Sequence, residues 1–436
     1  MGKKLFKRVF SFAVFSYFLC FIFLSIGWAR PYRVLFLTMD TGNGHISVAK
    51  ALLERFKTAV QNGEISGLGQ FEEDYLELTT LMSPLGILAT KKNYEIVSQK
   101  TPALFEKIFQ ISMQRTVSYL IEQSQRILIR GEMEDGFLKL DPDIIISTHP
   151  TTSFVVSQLR ERGVLRPEVT MLSFVTDWVA HPFFDYEDFL AVAHEDIRKQ
   201  MSSKFLRPLN TTFTLPGLPA QSGFLEEFDK ATAREKLQLK KDVPVFLAMG
   251  GGGGWKLERL AEFLPYWAPT KEVQLVVICG KNEELRSYLL KLKARLPKKI
   301  HLRVLAFSDQ VDDYMKAADI LISKPGGATT AESIALKLPL FIPDLIRGQE
   351  TYNLEFLEKI NGAVYLHSMS LLNDVDLVLE KAKKVSINLS REFGDSKDVG
   401  DAFIRLFEKI VGHFEYRKKQ HECGRLITYR GPLASF

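Results

Sequence analysis

Cysteine is scarce: Cys20, Cys279 and Cys423 are the only three in 436 residues. They are too few and too scattered for a disulfide framework, and no CxxC or HExxH pair marks a zinc site. The long glycine run Gly250–Gly254 is followed by Trp255-Lys256-Leu257, which lacks the Gly-Lys-Ser/Thr ending of a P-loop. Long internal repeats are missing as well. Apolar residues make up 46% and charged residues 25%, so the chain is not disordered, collagen-like or a coiled coil. Its length suits two domains of about 200 residues each.

Positive charge is scarcer in the body than the net charge of +5 suggests. Residues 1–30 hold Lys3, Lys4, Lys7, Arg8 and Arg30 with no acid, and residues 416–436 hold five basic residues and Glu422. Removing both ends leaves residues 31–415 with a net charge of −4. An acidic body is a poor nucleic-acid surface, so no nucleic-acid partner is expected. The basic ends suit an anionic lipid surface.

Val9–Ala29 runs for 21 residues without a charge, enough for a helix to span a bilayer core of roughly 30 Å. Residues 1–30 therefore read as a hydrophobic membrane anchor. A cleaved signal ending near Gly27-Trp28-Ala29 is the other reading. The basic N-terminus favours the cytoplasm, so a single span would export the body. The chemistry below needs the body on the cytosolic side, and a re-entrant or interfacial helix would reconcile the two.

After residue 30, short apolar strands alternate with helical stretches, the pattern of parallel sheets. Arg33–Met39 reads as a strand running into DTGNGH and a helix. Phe71–Leu76, Ile144–Ser147 and Thr170–Val175 read as further strands, and Ser83–Arg130 as helices. Residues 208–223, with three prolines, read as a linker. A second unit opens with Val245–Met249, the glycine run, and a helix from about Trp255. Strands follow at Val273–Cys279, His301–Leu305, Ile320–Ser323 and Leu340–Ile342. Val399, Phe403, Leu406, Phe407, Ile410 and Val411 mark an amphipathic helix near the end. The expectation is an α/β protein of two doubly wound domains with a cleft between them, where ligands sit beyond the carboxyl ends of the strands.

Several loops offer chemistry. In DTGNGH, Gly42 and Gly44 allow close backbone approach, and His45 at the helix start is placed to act as a general base. Five consecutive glycines exceed what a turn needs and suit a diphosphate held by backbone amides. In ISKPGGATTAES, Thr329 or Thr330 can cap a helix, and Glu332 can accept both hydroxyls of a ribose. In RGQETYN, Gln349 and Glu350 suit sugar hydroxyls. In FVTDWVAHPFF, Asp177 and His181 would share a face if helical, and Asp177 could orient a histidine or serve as base. His149 in STHP is a further cleft candidate. Asp141-Pro142-Asp143 precedes its strand, at the wrong edge for a metal clamp, and reads as a turn. Tyr94, Phe105, Ile108, Phe109, Ile111, Met113, Val117 and Tyr119, interspersed with Lys91, Lys92, Lys100, Lys107 and Arg115, form an apolar helical region. It would rest on anionic lipid, or else form a buried core helix with a basic outer face.

In order and spacing, DTGNGH, STHP, VTDWVAHPF, MGGGGG, KPGGATTAES and RGQETYN resemble glycosyltransferase family 28. The closest resemblance is to the monogalactosyldiacylglycerol synthases and processive diacylglycerol glucosyltransferases, and it covers about Arg33 to Val364. The resemblance implies a GT-B fold of two Rossmann-like domains: an acceptor-binding domain at 31–215, a UDP-sugar-binding domain at 216–415, and a basic tail at 416–436. It implies an inverting hexosyltransferase that acts on a membrane lipid, diacylglycerol first, with UDP-sugar as donor and no obligatory cofactor or metal. Glu332 would hold the ribose, Gly251, Gly252, Gly253, Gly326 and Gly327 the diphosphate, and Gln349 and Glu350 the sugar. Lys324, Pro325, Thr329 and Asn353 would also lie on the donor side, and Gly42, Gly44, His149 and His181 on the acceptor side. His45 falls on the base position, with Asp177 as the alternative. Asn43 stands where many relatives have glycine, and Phe183 and Phe184 replace a common tryptophan. A polyprenyl-linked N-acetylglucosaminyltransferase, a UDP-GlcNAc 2-epimerase and a non-catalytic UDP-sugar sensor are the rival readings.

Overall fold

The computed structural model describes residues 30–129, 131–394 and 397–424. The first unit is built on strands β1 (Tyr32–Thr38), β2 (Phe71–Glu77), β3 (Ile144–Ser147), β4 (Thr170–Phe174), β5 (Phe189–Val192) and β6 (Thr212–Thr214). They form one parallel sheet in the order β2-β1-β3-β4-β5-β6. β3 and β4 are buried throughout, as expected of strands covered on both faces, whereas the edge strand β2 alternates. Helix α1 (Asn43–Gln61) follows β1, and α2 (Pro102–Ser112) lies in the helical stretch between β2 and β3. Helix α3 (Pro150–Glu161) follows β3.

The second unit holds β7 (Val245–Met249), β8 (Val273–Ile278), β9 (Ile300–Leu305), β10 (Ile320–Ile322), β11 (Leu340–Ile342) and β12 (Ala363–Tyr365). Its parallel order is β12-β11-β10-β7-β8-β9. Helices α4 (Gly327–Ala335) and α5 (Gln349–Lys359) follow β10 and β11. In each sheet the winding reverses between adjacent strands, β1 and β3 in the first and β7 and β10 in the second. Loops leaving such a pair diverge and open a crevice.

Three expectations are corrected. Residues 208–223 are not a free linker, because Thr212–Thr214 pairs with β5 as the sheet edge. Its two threonines and a phenylalanine favour the extended chain. The last helix, α6 (Lys397–Glu422), does not complete the second unit. Its Phe403, Phe407, Ile410 and Phe414 pack with Val34, Phe36, Phe56 and Phe174 of the first. The apolar stripe was visible in the sequence, but a stripe does not say which sheet it covers. The basic stretch from residue 416 begins inside that helix, where Arg417 pairs with Asp188 at 2.9 Å. The anchor expected over residues 1–30 lies outside the described residues except for Arg30. Among the described residues no helix is long and apolar enough to cross a membrane.

One loop of the first unit reaches into the second. Trp178 is buried in the core formed by β7, β8, β10 and their helices, stacked on Phe356 with ring centres 5.1 Å apart. The segment that carries it is irregular, so Asp177 and His181 share no helical face.

Candidate active site

Three of the four loops at the two reversals meet across one cavity of about 920 Å³. DTGNGH leaves β1 and the glycine run leaves β7, and SKPGG leads from β10 into α4. STHP leaves β3 and backs the first of these. The units touch here closely. A Cβ on Gly327 would collide with the carbonyl oxygen of Thr176, and one on Gly252 with the side-chain amide of Asn43. These glycines therefore admit the opposite unit, a role that the sequence reading reserved for a diphosphate. Gly251 and Gly254 adopt φ of 66°, open to glycine at little cost, and the helix expected from Trp255 starts at Glu258.

His45 occupies the first turn of α1, half-buried against the cavity. Its Nδ1 lies 2.8 Å from the carbonyl oxygen of Thr148 and 2.7 Å from the Thr176 hydroxyl. A carbonyl only accepts, so Nδ1 carries the proton and Nε2 keeps the lone pair. Desolvation holds this imidazole below its ordinary pKa, opposed by the nearby Asp177 carboxylate. His149 packs edge-on against His45 at 4.5 Å between ring centres. Its Nδ1 accepts from the Thr151 amide as the cap of α3, so Nε2 donates to the Thr41 hydroxyl at 2.8 Å. Burial keeps it neutral. His149 thus braces the DTGNGH loop from behind and does not line the cavity.

On the other wall, Glu332 projects from the middle of α4, where burial pushes its carboxyl up to about 8. Ser47 of α1 donates to it at 3.4 Å, so both units contribute to its surroundings. Gly326 stands at the cap position of α4, and Thr329 lies inside the helix, not at its cap. Lys324 pairs with the buried Glu350, whose other oxygen accepts from the Ile346 amide at 2.7 Å. Gln349 and Asn353 both donate to Asp177, at 3.3 and 3.1 Å. Gly42, Gly44, His45, Asp177, Gly251, Gly252, Gly253, Lys324, Gly326, Gly327, Thr329, Glu332, Gln349 and Glu350 line the cavity together.

Pro325, Asn353 and His181 do not. The Asn353 amide accepts from the Trp178 N–H at 2.8 Å and donates to the Pro325 carbonyl at 3.0 Å. It staples the two units. His181 accepts from the Phe183 amide and donates through Nε2 to the Ser112 hydroxyl of α2, and burial lowers its pKa to about 3. Sequence reasoning noted Asn43 only as a departure from glycine and missed Ser47 and Thr176, ordinary residue types whose roles depend on the facing unit.

Residues 45–219 match the family model described as monogalactosyldiacylglycerol (MGDG) synthase, and residues 245–398 match the glycosyltransferase family 28 C-terminal domain. The chain is 29% identical over 358 residues to a processive diacylglycerol beta-glucosyltransferase of Bacillus licheniformis, covering 81% of this chain and 88% of that protein. It is 27% identical over 379 residues to the chloroplastic monogalactosyldiacylglycerol synthase of Spinacia oleracea, covering 84% and 66%. Among solved structures it is similar to MurG of Acinetobacter baumannii, with a TM-score of 0.54 and 16% identity over 87% of this chain and 100% of that one. Arabidopsis thaliana UGT89C1 in complex with quercetin gives a TM-score of 0.51 and 12% identity, over 88% and 100%. Those two likenesses show the fold, GT-B.

Proposed function

We propose that this chain, a member of glycosyltransferase family 28, moves a hexose from a UDP-sugar to the hydroxyl of diacylglycerol and so makes a membrane glycolipid. The observation that carries the mechanism is the pairing across the cleft. A neutral imidazole with its Nε2 lone pair available belongs to one unit, and a glycine-lined helix start with the half-buried Glu332 carboxyl belongs to the other.

Glu332 accepts the ribose hydroxyls, while the amides of Gly251–Gly253 and the start of α4 face the diphosphate. Gln349 and Glu350 lie where the sugar would sit. His45 Nε2 takes the proton of the lipid hydroxyl as its oxygen attacks the anomeric carbon from the face opposite UDP. The carbon–oxygen bond to UDP breaks and configuration inverts. Negative charge that grows on the leaving diphosphate meets preorganised amides and the positive end of α4. Asp177, held by two amide donors, orients this wall and is the alternative base.

The acceptor reaches the cleft from a lipid surface on the nucleotide-sugar, cytosolic side. Leu88, Ile96, Leu104, Ile108, Ile111 and Leu120 are all exposed in the helical stretch of the first unit, alongside exposed Lys92, Lys100 and Lys107. That combination suits an anionic membrane face. A panel of radiolabelled UDP-sugars with total lipid extract, resolved by thin-layer chromatography, tests the reading. A labelled glycolipid that co-migrates with glycosyl-diacylglycerol supports it. Label in a polyprenyl-linked product, a free epimerised sugar nucleotide, or no product at all would replace it with a rival.

A further inference from the structure

We infer that helix α2 couples the lipid surface to the sugar end of the donor site, with Phe105 and Phe109 as the positioning residues. The inference rests on the proposed lipid-acceptor reading and adds a control that this reading does not require.

Helix α2 reads Pro-Ala-Leu-Phe-Glu-Lys-Ile-Phe-Gln-Ile-Ser, apolar on more than one face. At 100° per residue, Leu104, Ile108 and Ile111 make one stripe, and Phe105, Phe109 and Ser112 make the adjoining one. The first stripe is uncovered, with exposures of 51%, 44% and 50%. The second is wedged between the two units: Ser112 and Phe109 meet His181 of their own unit, and both phenyl rings reach the opposite one. Gly348 has φ of +97°, and a Cβ there would lie 3.1 Å from Phe109 Cβ and 3.2 Å from Phe105 Cε1. Phe109 also packs on Tyr352 of α5 at 5.8 Å between ring centres. Tyr94, a cavity-lining residue, packs edge-on against Phe105 at 5.6 Å.

Gly348 directly precedes Gln349 and Glu350, so the phenyl rings bear on the backbone that carries both cavity-lining side chains. No flexible linker intervenes, and a shift of α2 is passed to that loop by contact. The occupant of the exposed stripe is an anionic bilayer. Exposed Lys100 and Lys107 flank three exposed aliphatic side chains, a pairing that suits acidic headgroups above acyl chains.

The test is calorimetry on the full chain with UDP, with UDP-glucose and with UDP-galactose. Each titration is run with and without vesicles of phosphatidylglycerol and phosphatidylcholine that contain no diacylglycerol. Vesicles are expected to tighten UDP-hexose relative to UDP by about five- to tenfold, the low end of ordinary site coupling. L104S/I108S/I111S should erase that gain and leave UDP affinity alone. F109A should erase it and weaken UDP-hexose relative to UDP even without vesicles, and F109L should restore most of the loss. An affinity ratio that vesicles leave unchanged for both sugars in the wild type overturns the inference, whatever the variants do. So does a gain that survives L104S/I108S/I111S, which would assign the effect to segment 9–29 or to a second copy of the chain. The ratio is read without any transfer, so a failure to glycosylate diacylglycerol would count against the proposed function and not against this measurement.

Discussion

The α-carbon of Gly327 faces the carbonyl oxygen of Thr176 so closely that no side chain fits between them. The first turn of α4 is therefore seated on the loop that also holds His45 and Asp177. Gly327→Ala should push the units apart at the chemistry. We expect kcat/KM to fall roughly 100-fold, the scale of a 1 Å misplacement, with little loss in Tm. Gly252→Ala is the contrast, because its collision is with the mobile end of Asn43. Its loss should be smaller, and Asn43→Gly should restore it. Steady-state kinetics beside thermal melts would show the difference, and equal losses for the two alanine variants would contradict it.

His45→Ala should lower turnover about 100-fold or more, the usual scale for a general base. The pH profile carries the finer test. Burial lowers the His45 pKa, so the neutral, proton-accepting form persists below the ordinary imidazole range. The acid limb of kcat/KM should therefore fall below pH 6.5. Asp177 raises that pKa, so Asp177→Asn should move the limb further toward acid. A wild-type rate in His45→Ala would transfer the base to Asp177.

Burial pushes the Glu332 carboxyl of the free protein up to about 8. Ribose hydroxyls that donate to it favour the carboxylate, so UDP binding should release a proton at pH 7 and tighten as pH rises toward 8. Calorimetry in buffers of different ionisation enthalpy reads that proton directly. Glu332→Ala should cost roughly 1.5–3 kcal/mol of UDP affinity, the scale of a hydrogen bond to a charged group. Unchanged affinity would remove Glu332 from the ribose.

Asn353 satisfies Trp178, Asp177 and Pro325 at once, so its removal strands buried polar groups in both units. Asn353→Ala should destabilise the fold by about 1–3 kcal/mol and barely change UDP affinity. Denaturant melts with UDP titration would check this. A large loss of UDP affinity with normal stability would restore Asn353 to the donor site.

Much of this architecture was legible because parallel strands buried on both faces are continuous apolar runs, and those at β1, β3, β7, β8 and β10 are unmistakable. The glycine-rich loops stood out for the same local reason. What escaped were relationships between the units. Nothing in the string places Asn43 against Gly252, Ser47 beside Glu332, or Trp178 in the other core. His149 and His181 looked like ligand-facing histidines, yet each is consumed by a backbone amide and a hydroxyl. Short edge strands such as β6 and β12 have too few residues to show a period.

The return of α6 to the first sheet means that the chain crosses to the second lobe and comes back. That second lobe is an insert, entered after β6 and left before residue 397. Exchanging donor halves between relatives through a single cut would strip the aromatic cover from Phe36, Phe56 and Phe174. A working chimera needs two junctions, and the native chain keeps its halves tethered by a pair of crossings that restrict how the cleft can open.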